Sequence, residues 1–414
     1  MKTNFKKQAL SIVLSLAMVV GVGVTTFASG PKPGVPQPAV EKPKELKIKK
    51  VLNLPTFGVK TPTETFTFTF EAQSFNGKDT EKNTCPAIAS QTASYTETDN
   101  KDQDNATTGK QVIKLTPDAL KNITFTKVGQ YVYTVKETTG NTTDMTYSKA
   151  EYTVSIFTKT KGDKIVVSDI QIAQIKTDDG KDAKDKTKKE YTPGTDDDHG
   201  KGNGLVFNNN YDKKGGNDKV IVGENPTPED KKGFALKKIV AGEKANNEEK
   251  FEFTLKVTKP EGTHADKNEK IGYIIASKDS VSAETKVEYD KDFKVSLKHG
   301  ERIVFVKVLL GSKVKVTESD AKGYTPSVKN DSVLNGQAVT LDATQADANG
   351  KIIFTDTVIG EDGDNFVTVE NSQQTAVGFI LNNLPFIVLV AFAGFGILFF
   401  VKNKKEKDEE EQRA

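Results

Sequence analysis

The sequence is poor in cysteine, tryptophan and net charge, and each shortage excludes a class of protein. Its 414 residues include a single cysteine, Cys85, and no tryptophan. One cysteine excludes an intrachain disulfide framework and a zinc site built from paired cysteines. The 59 Lys and Arg residues almost balance the 57 Asp and Glu residues, which leaves a net charge of +2. This balance argues against a dedicated nucleic-acid-binding protein, because such proteins carry a basic patch.

Motifs that would bind a metal, a nucleotide or a cofactor are also missing. The three histidines, His199, His264 and His299, are isolated and do not have the spacing of zinc ligands. The chain contains no phosphate-binding loop, dinucleotide fingerprint or nucleophile elbow. We therefore expect no metal site and no cofactor.

The N-terminus has the features of a secretory signal peptide. Three lysines in the first seven residues precede an apolar run over residues 9–24, and small residues lead to Ala28. The pattern predicts a signal peptide over residues 1–28, and an uncleaved membrane anchor is the alternative. Residues 29–45 are rich in Pro and Lys and are expected to form an extended linker.

A second apolar segment lies near the C-terminus. Residues 379–401 are apolar apart from Asn382 and Asn383 and are long enough to cross a bilayer. The lysine-rich start of residues 402–414 is expected to stay in the cytoplasm by the positive-inside rule, which directs the bulk of the chain outward. The two ends together predict a secreted protein at the cell surface, held by its C-terminal membrane segment.

Between the two ends, alternation of apolar and polar residues is the dominant pattern. Phe66–Phe70 and Tyr131–Val135 alternate with period two, which is typical of half-buried β-strands. Turn pairs such as Asn76-Gly77 separate these segments. We predict an all-β protein with two tandem immunoglobulin-like β-sandwich domains between the signal peptide and the transmembrane segment.

The strand pattern occurs twice, which defines two domains. The first copy occupies residues 46–211 and the second copy residues 233–371, and a Gly-, Lys- and Asp-rich linker over residues 212–232 separates them. Each copy opens with a strand that contains two adjacent lysines. It continues through a Phe-x-Phe strand and a Val-x-Glu strand, and it closes with a strand that contains asparagine.

Strand parity aims one Lys, one Glu and one Asn of each copy at the core. Residues i and i+2 share a face of a strand, and Lys50 is in phase with Ile48 and Leu52. The same test selects Lys50, Glu137 and Asn209 in the first copy and Lys238, Glu318 and Asn371 in the second copy. An isolated buried charge is costly, so we expect the three residues of each copy to meet. The alternative is that they lie at strand ends and reach solvent.

If the three residues meet, their chemistry favours an amide bond between Lys and Asn. Burial lowers the pKa of a lysine, so that its neutral amine can act as a nucleophile. Burial raises the pKa of a glutamate, and a protonated Glu can polarise the Asn side-chain carbonyl. Attack of the amine on the carboxamide would release ammonia and tie the first strand of a domain to its last, with proximity supplying the rate. Such crosslinks would replace the missing disulfides.

The repeated triplet and its surroundings resemble the major, or backbone, pilin subunits of Gram-positive bacteria, of the streptococcal T-antigen type. The resemblance covers roughly residues 46–401. It rests on the Lys-Lys-x-Val-x-Gly start of the second copy and on the Tyr-x-Val-x-Glu and Phe-x-Asn-x-Tyr elements. It implies β-sandwiches with self-formed isopeptide bonds, one joining Lys50 to Asn209 and one joining Lys238 to Asn371. The implied catalytic residues are Glu137 and Glu318.

The resemblance also implies a sortase signal just before the membrane span. Residues 372–378 contain the pentapeptide Gln374-Thr375-Ala376-Val377-Gly378. It keeps the leading Gln and the final Gly of the family's signal, but it lacks the Pro and has Val in place of Thr.

Polymerisation in the family joins a lysine of one subunit to the C-terminal acyl group of the next. In this chain the candidates are Lys188, Lys189 and Lys201, which precede the closing strand of the first copy. Lys201 is preferred among them. A solvated loop lysine is the alternative for each.

The leading hypothesis is a structural surface protein, the backbone subunit of a sortase-assembled pilus. Its partners would be sortase, further copies of itself, tip or basal pilins and peptidoglycan, with no nucleic acid. Its only chemistry would be intramolecular bond formation, so we expect no enzymatic turnover. A non-polymerising cell-surface adhesin with the same domains is the alternative, and the departures in the pentapeptide favour it. An extracellular enzyme is a third hypothesis that no motif supports.

Overall fold

The computed structural model describes residues 44–99, 103–105, 109–341, 346–347 and 350–373. The signal peptide, the sorting pentapeptide and the transmembrane segment of the sequence analysis lie outside these residues. Within the described ranges, no helix is both long and apolar enough to span a membrane. The regular secondary structure of the described chain is almost entirely β, with short 3-10 turns at Asp79–Thr84 and Asp230–Lys232. The predicted all-β class is confirmed.

Strands of the first domain precede residue 212, and all later strands pack in the second domain. In the first domain they are β1 (Lys49–Leu54), β2 (Glu64–Phe75), β3 (Gln91–Tyr95), β4 (Gln103–Asn105), β5 (Gly109–Leu115), β6 (Gln130–Glu137), β7 (Met145–Thr146), β8 (Glu151–Lys161), β9 (Lys164–Lys176), β10 (Lys189–Glu190) and β11 (Val206–Tyr211). In the second domain they are β12 (Lys214–Gly215), β13 (Ala235–Ala241), β14 (Phe251–Thr258), β15 (Lys270–Ala276), β16 (Thr285–Glu288), β17 (Asp292–Leu297), β18 (Arg302–Leu309), β19 (Lys313–Glu318), β20 (Thr325–Val328), β21 (Val333–Leu334), β22 (Gln337–Ala338), β23 (Ala346–Asp347), β24 (Gly350–Val358) and β25 (Phe366–Ser372).

The first domain is a sandwich of two sheets. One sheet has the order β4-β5-β1-β11-β7 and the other has the order β10-β9-β8-β6-β2-β3. The first strand β1 lies between β5, which is antiparallel to it, and the last strand β11, which is parallel to it. Alternate residues of β1 and of the segment before it, including Leu46, Ile48 and Leu52, are fully buried, which confirms the parity expected from the sequence. The first and last strands of the domain are therefore neighbours in the middle of one sheet.

The second domain repeats this arrangement. Its first long strand β13 is antiparallel to β18 and parallel to the last strand β25, and the facing sheet has the order β17-β14-β19-β24-β23. In both domains aromatic residues fill the space between the sheets. Phe68 and Phe207 meet at 5.1 Å between ring centroids, and Phe234 and Phe305 meet at 4.9 Å. Such packing supplies most of the stabilisation that these polar sequences can obtain from a core.

The segment between the two domains, expected from its composition to be a linker, is packed against the second domain. Its strand β12 pairs with β18. The buried Arg302 donates hydrogen bonds to the carbonyl oxygens of Gly223, at 2.7 Å, and Ile221, at 2.8 Å. Asp230 is also buried and lies 3.9 Å from the Arg302 guanidinium. Composition cannot indicate these contacts, because each depends on a partner that lies 72 to 95 residues further along the chain.

The domains also contact each other directly through closely packed backbone. A Cβ placed on Gly58 would lie 2.8 Å from the backbone nitrogen of Gly311 and 2.8 Å from the carbonyl oxygen of Ile359. Glu361 donates a backbone hydrogen bond to the Gly58 carbonyl at 3.1 Å, and its carboxylate pairs with Lys213 at 2.6 Å. Glycine is required at position 58 by this approach and by its φ of +72°.

Candidate functional site: two buried Lys, Glu and Asn triads

All six residues selected by parity are buried, and each set of three meets in the interior of its own domain. The set in the first domain, here called triad 1, comprises Lys50, Glu137 and Asn209, and the set in the second domain, triad 2, comprises Lys238, Glu318 and Asn371. In each domain the Lys and the Asn come from neighbouring strands of one sheet, and the Glu comes from the facing sheet. Each triad therefore spans the space between the two sheets of a sandwich.

Triad 1 is held together by short hydrogen bonds. The Lys50 ammonium nitrogen lies 2.7 Å from Oε2 of Glu137, and Nδ2 of Asn209 donates to Oε1 of the same carboxylate at 2.6 Å. Both charged side chains are completely shielded from solvent. Burial lowers the pKa of Lys50 to about 8, against the opposing effect of Glu137, and burial raises the pKa of Glu137. Both shifts favour a neutral amine beside a neutral carboxyl group.

Triad 2 has the same members in a slightly different arrangement. The Lys238 ammonium lies 3.0 Å from Oε1 of Glu318, and Nδ2 of Asn371 donates to that same oxygen at 2.8 Å. Burial lowers the pKa of Lys238 to about 8. The second carboxylate oxygen of Glu318 is buried without a hydrogen-bond partner.

Phenylalanine rings complete the surroundings of both lysines. The Lys50 ammonium lies 4.4 Å from the ring centroid of Phe66, and the Lys238 ammonium lies 4.6 Å from that of Phe251. A ring face attracts the charged form of the amine, while its apolar body excludes water. An amine, a carboxyl group that can carry a proton and a carboxamide thus meet in the solvent-shielded interior of each domain. These are the groups that a transamidation requires.

The side-chain amide of Asn209 is oriented differently from the sequence-based expectation. We expected Glu137 to donate to the amide carbonyl, but Oε1 of Glu137 contacts the amide nitrogen instead. The carbonyl oxygen of Asn209 accepts a 2.7 Å hydrogen bond from the backbone N–H of Ser148. A backbone N–H can only face an acceptor, so Ser148 fixes which end of the amide points away from Glu137.

Ser148 and its partner Asp178 are the residues that sequence reasoning missed. Ser148 lies between β7 and β8, and its hydroxyl donates to Asp178, in the turn after β9, at 2.5 Å. Neither residue belongs to a repeated motif, and the period-two alternation of the strands does not single out either of them. Ser148 reaches the triad because the strand before it, β7, pairs with β11, and Asp178 reaches it through hydrogen bonds from Ser148 and from Asn208 of β11. No pattern within the sequence could have found these contacts.

The candidate polymerisation lysines lie on the surface, away from both triads. Lys188, Lys189 and Lys201 are all exposed, and Lys189 forms an ion pair with Asp185 at 3.1 Å. Neighbouring protein atoms displace part of the water around the exposed Lys188 amine and so lower its pKa. In the described part of the chain, no group of three or more His, Cys, Asp or Glu residues is arranged to hold a metal ion. Cys85 is buried and donates to the Ser74 carbonyl at 3.4 Å.

Two family descriptions match the chain, one for each domain. Residues 46–212 match the "Spy0128-like isopeptide containing domain", and residues 232–373 match a domain of unknown function. The first match confirms the resemblance to Gram-positive pilins. No curated protein matches the chain.

Solved structures of two major pilins from Streptococcus pyogenes and of a pilus-presented adhesin align with most of the chain at low similarity. The major pilin is 19% identical, with a TM-score of 0.32, and covers 81% of this chain and 100% of its own. A second major pilin is 21% identical, with a TM-score of 0.32, and the alignment covers 80% of this chain and 98% of that pilin. A pilus-presented adhesin is 11% identical, with a TM-score of 0.25, and the alignment covers 80% of this chain and 100% of the adhesin structure.

Proposed function

We propose, starting from the match of residues 46–212 to an isopeptide-containing domain, that this chain is a structural subunit of a sortase-assembled pilus on a Gram-positive cell. Each of its domains is locked by one Lys–Asn isopeptide bond. The observation that carries the proposal is the duplication of the triad. Asn209 lies opposite the residue two positions beyond Lys50, and Asn371 lies opposite the residue two positions beyond Lys238. Two domains of different sequence would not keep this geometry for packing alone.

The bond-forming step balances without any external reagent. A proton passes from the Lys ammonium to the Glu carboxylate, which leaves a neutral amine and a carboxylic acid. The amine nitrogen attacks the side-chain carbonyl carbon of Asn, and a new carbon–nitrogen bond forms. The acid gives its proton to the amide nitrogen, and the carboxylate so formed takes a second proton from the attacking nitrogen. The old carbon–nitrogen bond breaks and ammonia departs, which leaves the Glu as a carboxylic acid. Each domain reacts once, so the protein is not a turnover enzyme.

The position of the bond suits a shaft protein under tension. In both domains the bond would join the first strand to the last, and these strands are parallel neighbours in the middle of one sheet. A covalent tie between them prevents the sheet from being pulled open from its ends. A disulfide could serve the same purpose only in an oxidising environment, and the chain has one cysteine.

We assign the joining of subunits to the pentapeptide near the C-terminus and to one surface lysine. We place the sortase step at Gln374–Gly378 and the acceptor amine at Lys201. The former lies outside the described residues, and the latter is exposed. Partners of the assembled chain would be sortase, further copies of this chain, tip or basal pilins, and peptidoglycan.

Intact-mass measurement of the folded chain tests the crosslinks. We expect the wild-type mass to be lower than the sequence mass by two ammonia molecules, and the double variant Glu137→Ala plus Glu318→Ala to keep its full mass. The adjacent lysines provide matched controls, because Lys49 and Lys237 point to the opposite face. Lys50→Ala and Lys238→Ala should each restore one ammonia, whereas Lys49→Ala and Lys237→Ala should restore none. A wild-type chain at full sequence mass would refute the isopeptide proposal.

Cell-wall extracts test the pilus assignment separately from the crosslinks. A polymerised shaft gives a ladder of bands that resists boiling in SDS, and Lys201→Ala should abolish it if Lys201 is the acceptor. Lys188→Ala, directly before β10, is the control. A single band at the monomer mass in the wild type would contradict polymerisation and support the adhesin alternative.

A further inference from the structure

The two triads differ at the atom that would carry negative charge during bond formation. In triad 1 the carbonyl oxygen of Asn209 accepts the Ser148 backbone N–H at 2.7 Å. In triad 2 the corresponding oxygen of Asn371 is buried with no hydrogen-bond partner among the described residues. Attack of an amine converts this carbonyl oxygen into an oxyanion, and a preorganised N–H aimed at it stabilises the transition state.

Strand pairing explains why only the first domain has this donor. In the first domain β7 ends at Thr146, so that the chain at Ser148 leaves the ladder and turns its N–H toward the Asn209 side chain. In the second domain the equivalent strand β20 remains paired with β25 through Val328. Ser327, the counterpart of Ser148, therefore stays in the ladder opposite Glu370 instead of turning its N–H toward Asn371.

A network around Asp178 holds Ser148 in position. One oxygen of Asp178 accepts the Ser148 hydroxyl at 2.5 Å and the Asn208 backbone N–H at 2.9 Å, and the other accepts the Asn208 side chain at 2.8 Å. Lys149 donates its backbone N–H to the Asp178 carbonyl at 2.9 Å. The Asp178 carboxylate thus ties the segment that carries the donor to the strand that carries the reacting Asn.

We propose that the Ser148 backbone N–H is the oxyanion donor for crosslinking in the first domain, that Asp178 is its positioning residue, and that the first domain therefore crosslinks before the second. The inference rests on the isopeptide bonds of the proposed function. The donor stabilises the oxygen when the Lys50 amine adds to the Asn209 carbonyl carbon. It releases that oxygen as a carbonyl when the bond to Nδ2 breaks and ammonia leaves.

The expected difference in rate is large enough to measure. Removal of one oxyanion donor slows acyl-transfer enzymes by about 100- to 1000-fold. The second domain retains the Glu and the apolar cavity, and its amide, free of any donor, can turn its oxygen toward Glu318. We therefore expect the crosslink of the second domain to form about tenfold to 100-fold more slowly than that of the first.

Time-resolved peptide mapping of nascent chains measures both bonds in one molecule. The full chain is synthesised in a short cell-free pulse, samples are quenched in denaturant, and the crosslinked peptides that contain Lys50–Asn209 and Lys238–Asn371 are quantified after digestion. The first peptide should appear well before the second. Equal rates would overturn the inference while leaving the crosslinks themselves intact. Absence of both peptides at all times would instead refute the proposed function and the inference with it.

Variants at the network separate positioning from folding. Asp178→Ala should slow the first crosslink on the order of tenfold, because a displaced donor loses much of its effect, and should leave the second unchanged. The control Asp179→Ala, in the same turn, should change neither rate. Ser148→Ala keeps the N–H and should slow the first bond less than Ser148→Pro, which removes it.

A folding effect of Asp178→Ala is measured where no crosslink can form. In the Glu137→Ala background, the melting temperatures with and without Asp178→Ala report only on packing. A slow first crosslink together with an unchanged melting temperature in this background supports a positioning role. An unchanged crosslinking rate in Asp178→Ala would overturn that role even if Ser148→Pro fails to fold.

Discussion

Lys50 and Asn209 stand on adjacent parallel strands, but they are not paired with each other. Lys50 is opposite Phe207, and Asn209 is opposite Leu52, so the two side chains are offset by two residues along the sheet. The offset keeps both on the inner face, where they reach opposite oxygens of Glu137 at 2.7 and 2.6 Å. Both the Lys50 ammonium and the Asn209 Nδ2 are hydrogen-bond donors, so neither can satisfy the other. The Glu137 carboxylate accepts a hydrogen bond from each of them.

The same offset in the second domain places Lys238 and Asn371 on one oxygen of Glu318, at 3.0 and 2.8 Å. Glu137 is opposite Phe68 on the neighbouring strand, and Glu318 is opposite Phe253 in the same way. The two sites are therefore equivalent in register and differ in how the Asn amide is held. Each experiment on one triad can therefore be compared with the other triad in the same molecule.

Loss of the first crosslink should lower stability by about 5 kcal/mol. The proposed bond between Lys50 and Asn209 would close a loop of about 160 residues, and the entropy that such a loop removes from the unfolded chain has about this value. Glu137→Ala should therefore unfold at much lower guanidinium concentration than the wild type. Glu71→Ala, at an exposed site on β2, should unfold like the wild type. A difference below about 1 kcal/mol between Glu137→Ala and the wild type would contradict the crosslink as the source of stability.

The crosslinking rate in the first domain should depend on pH as a bell-shaped curve. The reactive form has a neutral Lys50 amine beside a protonated Glu137. It contains as many protons as the ion pair of charged Lys50 and charged Glu137, so the rate does not change with pH as long as the two groups together hold this one shared proton. Acid protonates Glu137 while Lys50 stays charged, and alkali above about pH 8 removes the shared proton. The rate should fall in both directions. Initial rates of crosslinked-peptide formation in nascent chains across this range provide the test, and a rate that keeps rising well above pH 8 would contradict it.

A side chain at Gly58 should loosen the contact between the domains. Gly58→Ala places a Cβ 2.8 Å from backbone atoms of the second domain, whereas Gly77→Ala places one in open space. Both glycines have positive φ, +72° and +78°, so the two variants share the backbone strain and differ only in the clash. We expect Gly58→Ala alone to become sensitive to proteolysis between residues 55 and 61. Equal sensitivity of the two variants would show that strain alone is responsible.

Removal of the Asp230 carboxylate should destabilise the second domain by about 3 kcal/mol, because it leaves the Arg302 charge buried without a counter-charge. Asp230 also accepts hydrogen bonds from Asn217 at 2.8 Å and from the backbone of Thr227 at 2.9 Å. Denaturant unfolding in the Glu318→Ala background, where no crosslink forms in this domain, measures the effect of Asp230→Ala.

Glu229→Ala is the control for this change. Its carboxylate forms an exposed pair with Lys232, which is expected to contribute less than about 1 kcal/mol. Similar losses in Asp230→Ala and Glu229→Ala would mean that the buried carboxylate has no special role.

The strand phases of the sequence predicted much of the site. Period-two alternation selected Lys50 over Lys49 and Lys238 over Lys237, and the structure buries the selected lysine of each pair completely. The prediction works because one face of a strand in a sandwich must be apolar, so a charged residue in phase with that face is an exception that needs partners. Repetition of the exception in the second copy strengthened the hypothesis beyond what one strand could support.

Sequence alone therefore determined the all-β class, the repetition of the strand pattern and the choice of the six triad residues, because these follow from periodicity along the chain. Only the tertiary structure decided which atoms meet. The Ser148 N–H reaches Asn209 because β7 ends where it does, and Arg302 holds the segment before the second domain across 79 residues. Contacts of this kind depend on the register between distant strands and on where each strand stops, and a period of two residues does not encode either of them.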